Sequence, residues 1–171
     1  MLQRLKQDCP IAIDRPENEN TLSSELCKDL AREFLELNDD TRVRSIVLCG
    51  HNNVFCAGLD IEEQLAENTP IFNEFQKVID ALDALSKPVV AAVSGPAVSQ
   101  GAAMLYHCDL VFAGEHALFS MPGLALGQTP RYGVSLLAVK SGGYKLAAQK
   151  LLLSEPISAA ELSLWARQPY R

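Results

Sequence analysis

Apolar residues recur every three or four positions through Leu22, Leu26, Leu30, Phe34 and Leu37, a single stripe that predicts a helix to about Asn38. Ser23 stands in front of it as an N-cap, and Glu25 falls in the first turn, where the helix dipole favours negative charge. A second stripe, Phe72, Phe75, Ile79, Leu82 and Leu85, predicts another amphipathic helix. It must end near Lys87, because Pro88 disfavours the α conformation just before it. Between the helices lie strand patterns: Pro10–Asp14 alternates and is closed by the turn formers of Pro16–Asn20, and Val43–Cys49 is a second apolar run. Pro88–Val93 is apolar without alternation, as suits a strand covered on both faces. Further on, Gly101–His107 predicts a short buried helix, Leu110–Ala113 and Ala117–Ser120 strands, and Tyr132–Lys140 and Gly143–Leu153 two more helices. Ser158 with Glu161 three residues later is a capping box that opens another. Strands alternating with helices, without a sequence repeat or a low-complexity linker, predict one α/β domain over residues 1–171.

Composition narrows the function. An apolar share of 48% and a charged share of 21% are those of an ordinary globular protein, and no apolar run approaches the ~20 residues of a membrane span. The start, MLQRLKQDCP, has neither an apolar stretch nor a small-residue cleavage site. The five cysteines (Cys9, Cys27, Cys49, Cys56, Cys108) share no metal-type spacing and suit reduced thiols, so the expectation is a cytoplasmic protein with no metal site and no membrane partner. A formal charge of −6 argues against nucleic acid, whose phosphates need clustered Lys and Arg.

The chemistry concentrates in two loops that each follow an apolar run, Val54–Asp60 (VFCAGLD) and Ser94–Gly101 (SGPAVSQG). Small residues there leave backbone N–H groups free to point at a ligand, and two such groups converging on one point form an oxyanion hole. Other polar residues have plainer readings. His107, Cys108 and Asp109 are adjacent, so their side chains diverge and serve a helix end; His51 sits in a polar turn; Tyr132 reads as a core aromatic. A rival reading comes from AVSQG, where Ser99 stands between small residues after a strand and before a helix, like a hydrolase nucleophile elbow with His116 or His107 as base. No orienting acid follows at a suitable distance.

Four runs in order, VFCAGLDI, KPVVAAVSGPAV, the Cys108-Asp109-Leu110 turn into a strand, and LFSMPGLALGQTP, resemble the crotonase family of enoyl-CoA hydratases and isomerases from about Ile11 to Ala166. The GPAV and LGQTP runs look most like the Δ3,Δ2-enoyl-CoA isomerase branch. The resemblance implies a ClpP/crotonase-type spiral of β-β-α turns that binds an acyl-CoA thioester, with coenzyme A as part of the substrate and no permanently bound cofactor. It places the two oxyanion donors at the N–H groups of Leu59 and Gln100. It also sets Thr21 and Leu22 beside the pantetheine, and Ala57, Leu59, Asp60 and Ile61 along the adenine and pantetheine path. Where the family often has a basic residue near the CoA, this chain reads Glu17-Asn18-Glu19, and at the second donor Gln100 replaces a frequent glycine.

The acid–base side departs from the family. The two hydratase glutamates correspond here to Ala103 and Gly123, and the isomerase glutamate corresponds to Arg131, which cannot act as a base. Three readings stand together: enolate chemistry such as double-bond isomerisation with Asp60 or water as base, a non-catalytic acyl-CoA-binding relative, and the Ser99 hydrolase. Arg131 is either a surface charge or the partner of an anionic ligand group. The resemblance further implies more helix beyond Trp165 than this sequence contains, and a homo-oligomer, by resemblance a trimer, in which Leu162, Leu164 and Trp165 meet a partner subunit.

Overall fold

The computed structural model describes residues 2–4, 10–51 and 53–165. Its main sheet has five strands in the order β1 (Leu2–Arg4), β2 (Pro10–Ile13), β3 (Ile46–Gly50), β4 (Val89–Val93) and β6 (Leu110–Ala113). β1 and β2 are antiparallel; the remaining pairs are parallel, with Ile46 facing Val89 and Val90 facing Leu110. A second sheet sets β5 (Ala97–Val98) parallel to β7 (Leu118–Ser120), with β8 (Ile157–Ser158) antiparallel on its far side. The helices are α1 (Ser24–Asp39), α2 (Ile61–Leu65), α3 (Ile71–Asp83), α4 (Gln100–Leu105), α5 (Val134–Gly142), α6 (Tyr144–Leu152) and α7 (Ala159–Trp165). Parallel neighbours joined through helices build the α/β domain that the sequence pattern predicts.

Local chemistry explains the elements. Leu26, Cys27, Leu30, Phe34 and Leu37 of α1 are buried, and the Ser23 hydroxyl accepts the Leu26 N–H at 3.2 Å. α3 buries Ile71, Phe75, Val78, Ile79 and Leu82 against them, and both helices cover Ile11, Ile13, Ile46 and Leu48 of the sheet. The capping box forms at α7: the Ser158 N–H donates to Glu161 Oε2 at 2.9 Å, and the Glu161 N–H donates back to Ser158 Oγ at 3.3 Å.

Two sequence expectations shift. The strand read over Val43–Cys49 starts at Ile46, because the Val43 N–H is drawn into a turn by the Asp40 carbonyl. β4 is not equally covered on both faces: Val89, Ala91 and Val93 are buried, while Val90 and Ala92 are half-buried. At the sheet's far edge β6 leaves Leu110 and Phe112 exposed. Leu162 packs against the domain's own core, whereas the side chains of Leu164 and Trp165 lie outside the described residues.

Burial pushes the thiols of Cys27, Cys56 and Cys108 up to about 12. Iodoacetamide at pH 8 should leave these three unmodified in the native protein and alkylate them after unfolding, as read by peptide mass spectrometry. The stabilisation they lend is intact below the ordinary thiol value of 9.0 and is lost as pH rises towards 12, so alkaline denaturation should begin in that interval.

Candidate active site

The loop after β3 and the loop after β4 lie side by side. The Phe55 and Cys56 N–H groups both donate to the Pro96 carbonyl, and the Val98 N–H donates to the Cys56 carbonyl at 2.8 Å. Gly101, in the first turn of α4, presses on this seam: a Cβ there would stand 2.3 Å from the Cys56 carbonyl oxygen. Leu22 grips the other side of the first loop, donating to the Gly58 carbonyl at 2.8 Å and accepting from the Asp60 N–H at 2.9 Å. In a parallel bridge those two bonds turn the N–H of the residue between them away from the partner strand. Leu59 is that residue. Its N–H has no acceptor among the described residues, while its carbonyl accepts from Gln64 Nε2 at 2.9 Å.

The second expected donor begins α4. Ser99 adopts φ 53°, ψ −115°, a conformation that L side chains rarely enter, and its N–H donates to the Ser120 carbonyl. That turn leaves the Gln100 N–H without an acceptor among the described residues. The Gln100 side chain is buried and lies across the seam. Its Oε1 accepts from the Ser99 hydroxyl at 2.7 Å and sits 3.3 Å from where a Cβ on Gly58 would be. Gly58 itself has φ +104°, so a side chain there would be strained as well as crowded.

Beside Gln100 is a cavity of about 40 Å³ whose walls include Ala103, Gly123, Arg131 and Tyr132. Ala103, Gly123 and Arg131 therefore meet at one place. Arg131 sets its guanidinium carbon 5.1 Å from the centre of the Phe72 ring, and Tyr132 packs edge-on to Phe75 with ring centroids 4.7 Å apart. The Tyr132 hydroxyl is buried beside the Arg131 side chain. Burial raises its pKa and the neighbouring Arg131 charge opposes the rise. His107 secures the turn to α3: Nδ1 meets Asp83 at 2.7 Å and Nε2 meets the Tyr132 carbonyl at 2.9 Å. Met121 and Leu124 also border this cavity; Met121 is shared with a larger one of about 370 Å³, lined from α4, β6 and α6, which none of the predicted donor or CoA-path residues line.

A family profile described as Enoyl-CoA hydratase/isomerase matches residues 7–166. The chain belongs to this family. It is 33% identical over 153 residues to the mitochondrial enoyl-CoA hydratase of Pongo abelii, covering 88% of this chain and 53% of that protein. To the 2,3-dehydroadipyl-CoA hydratase of Escherichia coli (strain K12) it is 32% identical over 153 residues, covering 88% and 60%. Among solved structures, a putative enoyl-CoA hydratase/carnithine racemase from Magnetospirillum magneticum AMB-1 superimposes with a TM-score of 0.89 at 30% identity, covering 95% of this chain and 66% of that one. The chain thus spans 53% and 60% of the length of these two curated relatives.

Within this family frame the remaining site residues divide. Thr21 and Leu22 do lie against the Gly58–Asp60 segment: Arg15 reaches the Thr21 carbonyl at 2.9 Å and the Asp60 carboxylate at 3.4 Å. Ala57 donates to the Glu19 carbonyl, and Ile61 projects into solvent. Asp60, considered as a base, is occupied elsewhere. Its Oδ1 accepts from the N–H groups of Glu62 and Glu63 as the cap of α2, its Oδ2 pairs with Arg15, and it does not line the small cavity. The hydrolase reading finds no base: the Ser99 hydroxyl meets Gln100, His107 is held by Asp83 and Tyr132, and His116 lies exposed beside Glu115. Asn20 was not singled out from the sequence, yet it anchors the site. Fully buried, it accepts from the Arg15 N–H and donates to the carbonyls of His51 and Val54, tying the first loop to the chain before α1.

Proposed function

We propose that this chain binds an acyl-CoA thioester with its carbonyl oxygen between the Leu59 and Gln100 N–H groups, and stabilises the enolate-like state that forms when electrons move onto that oxygen. The observation that carries the proposal is the pair of amides without acceptors among the described residues, set on loops that are bonded to each other. Donors fixed in place before reaction contribute most where charge develops, which is at this oxygen. Hydration by paired carboxylates is not part of the reading, because Ala103 and Gly123 have no titratable group and Arg131 stays protonated. Isomerisation with a base other than a cavity carboxylate is one outcome; acyl-CoA binding without turnover is the second reading, favoured by Asp60 being committed to α2 and Arg15. A homo-oligomer, implied by the resemblance, belongs to the same reading.

Turnover separates the two outcomes. With 3-enoyl-CoA and 2-enoyl-CoA as substrates, followed by the absorbance of the conjugated thioester, the wild type should be slower than Arg131→Glu by ~10²–10⁴-fold, the usual worth of a placed acid–base group. Wild-type turnover equal to or above that of the variant would show that a base already serves the site. Failure of the wild type to bind any acyl-CoA in calorimetry would overturn the thioester reading itself.

A further inference from the structure

Arg131 has no carboxylate partner among the described residues; its guanidinium lies over the Phe72 ring, in a chain where 21 acidic residues outnumber 15 basic ones. It is also the one charged side chain among the described residues that line the small cavity. The wall that holds it also includes Tyr132, Gln128 and Thr129. Ala103 and Gly123 line it too and contribute no more than a methyl group and a bare Cα. A guanidinium beside open space favours an occupant that accepts hydrogen bonds and carries negative charge.

Size selects the anion. The cavity measures about 40 Å³. On that scale one water needs ~10–15 Å³, so there is room for about three heavy atoms, the size of a carboxylate. The planar fork of a guanidinium also matches a carboxylate better than a point charge does. Because Gln100 borders the same cavity and supplies one of the two thioester donors, the carboxylate belongs to the acyl group of the same molecule.

We propose that the acyl-CoA taken by this chain carries a second, free carboxylate on a short acyl chain, and that Arg131 is the residue that selects it. This rests on the thioester site described under the proposed function. The three cavity positions then have a common sense: the side chains that would place carboxylates there are absent, and a cation has replaced one of them, so a charged acyl end is attracted where it would otherwise be repelled.

The test is calorimetry with two matched pairs: malonyl-CoA against isovaleryl-CoA, and succinyl-CoA against 4-methylpentanoyl-CoA, each neutral member being the branched isostere of its acid. The wild type should bind at least one acid ~10-fold tighter than its isostere, the scale of a hydrogen bond to a charged group. That ratio should fall to near one in Arg131→Gln, take an intermediate value in Arg131→Lys, and shrink in the wild type as salt is added. Arg131 is exposed, and the salt series on the wild type reads the same interaction should a variant fold poorly. A ratio of one in the wild type, or one unchanged by Arg131→Gln, would overturn this inference and leave the thioester site standing. No binding of any of the four would remove both.

Discussion

Gly101→Ala should lower the thermal midpoint by about 5–10 °C and abolish acyl-CoA binding, although it adds a single methyl group. Its Cβ would fall 2.3 Å from the Cys56 carbonyl oxygen and 2.8 Å from the Cys56 Cβ. The oxygen cannot move aside, because it accepts the Val98 N–H at 2.8 Å across the seam between the loops. Overpacking of this kind costs ~1–3 kcal/mol, and for a domain of this size each kcal/mol moves the midpoint by ~2–4 °C. The relief available is for α4 to back away from the first loop. That movement separates the Leu59 and Gln100 N–H groups, so the binding loss should exceed what the stability loss explains. Circular dichroism melts and acyl-CoA calorimetry on the same preparation decide the matter; wild-type values in both would mean that the seam is not a rigid contact.

Asn20→Asp should destabilise the protein by about 3 kcal/mol or more at pH 7.5, and by less at pH 5. The native amide uses both kinds of group it has: Oδ1 accepts from the Arg15 N–H at 2.8 Å, and Nδ2 donates to His51 O at 2.9 Å and Val54 O at 2.8 Å. A carboxylate keeps the first bond and turns a lone pair towards each of the two carbonyls, in a place without solvent. A buried group left unsatisfied costs ~1–3 kcal/mol, and more when charged. The sign with pH follows from linkage. The carboxyl in the folded variant binds its proton more tightly than in the unfolded chain, so the penalty is small at low pH and grows as pH rises through the folded-state value. Asn20→Ala, with no charge to bury, should show a smaller loss and little pH dependence in urea titrations.

These two residues show what the sequence discloses and what it withholds. The helices α1 and α3 are legible because their periodicity and the Ser23 cap are local properties that packing merely confirms. β5 and β8, two residues each, have no room for a period and exist because tertiary contacts place them against β7. The loops of Leu59 and Gln100 are visible as runs of small residues. The contact of Gly101 with Cys56 is not, since no rule of spacing says which glycine touches another backbone. Asn20 closes a run of turn formers in which a solvated asparagine and a buried one with three bonds read alike. Asp60 was legible both as a cap and as a base, and its bonds to Glu62, Glu63 and Arg15 place it with the cap. Arg131 had two readings too, a surface charge or an anion partner, and its place on the wall shared with Ala103 and Gly123 gives the second its footing.

Ser99 carries a last consequence. Its peptide is gripped from both sides: the N–H by the Ser120 carbonyl, the carbonyl by the Ala103 N–H, with φ at 53° between them. A backbone unit held in so unfavourable a conformation by its neighbours has no second orientation to relax into at comparable energy. The Gln100 amide is therefore fixed in direction by the backbone around it. At the proposed thioester site no binding free energy would then go into turning a peptide plane, and recognition of a carbonyl oxygen by this amide would be lock-and-key.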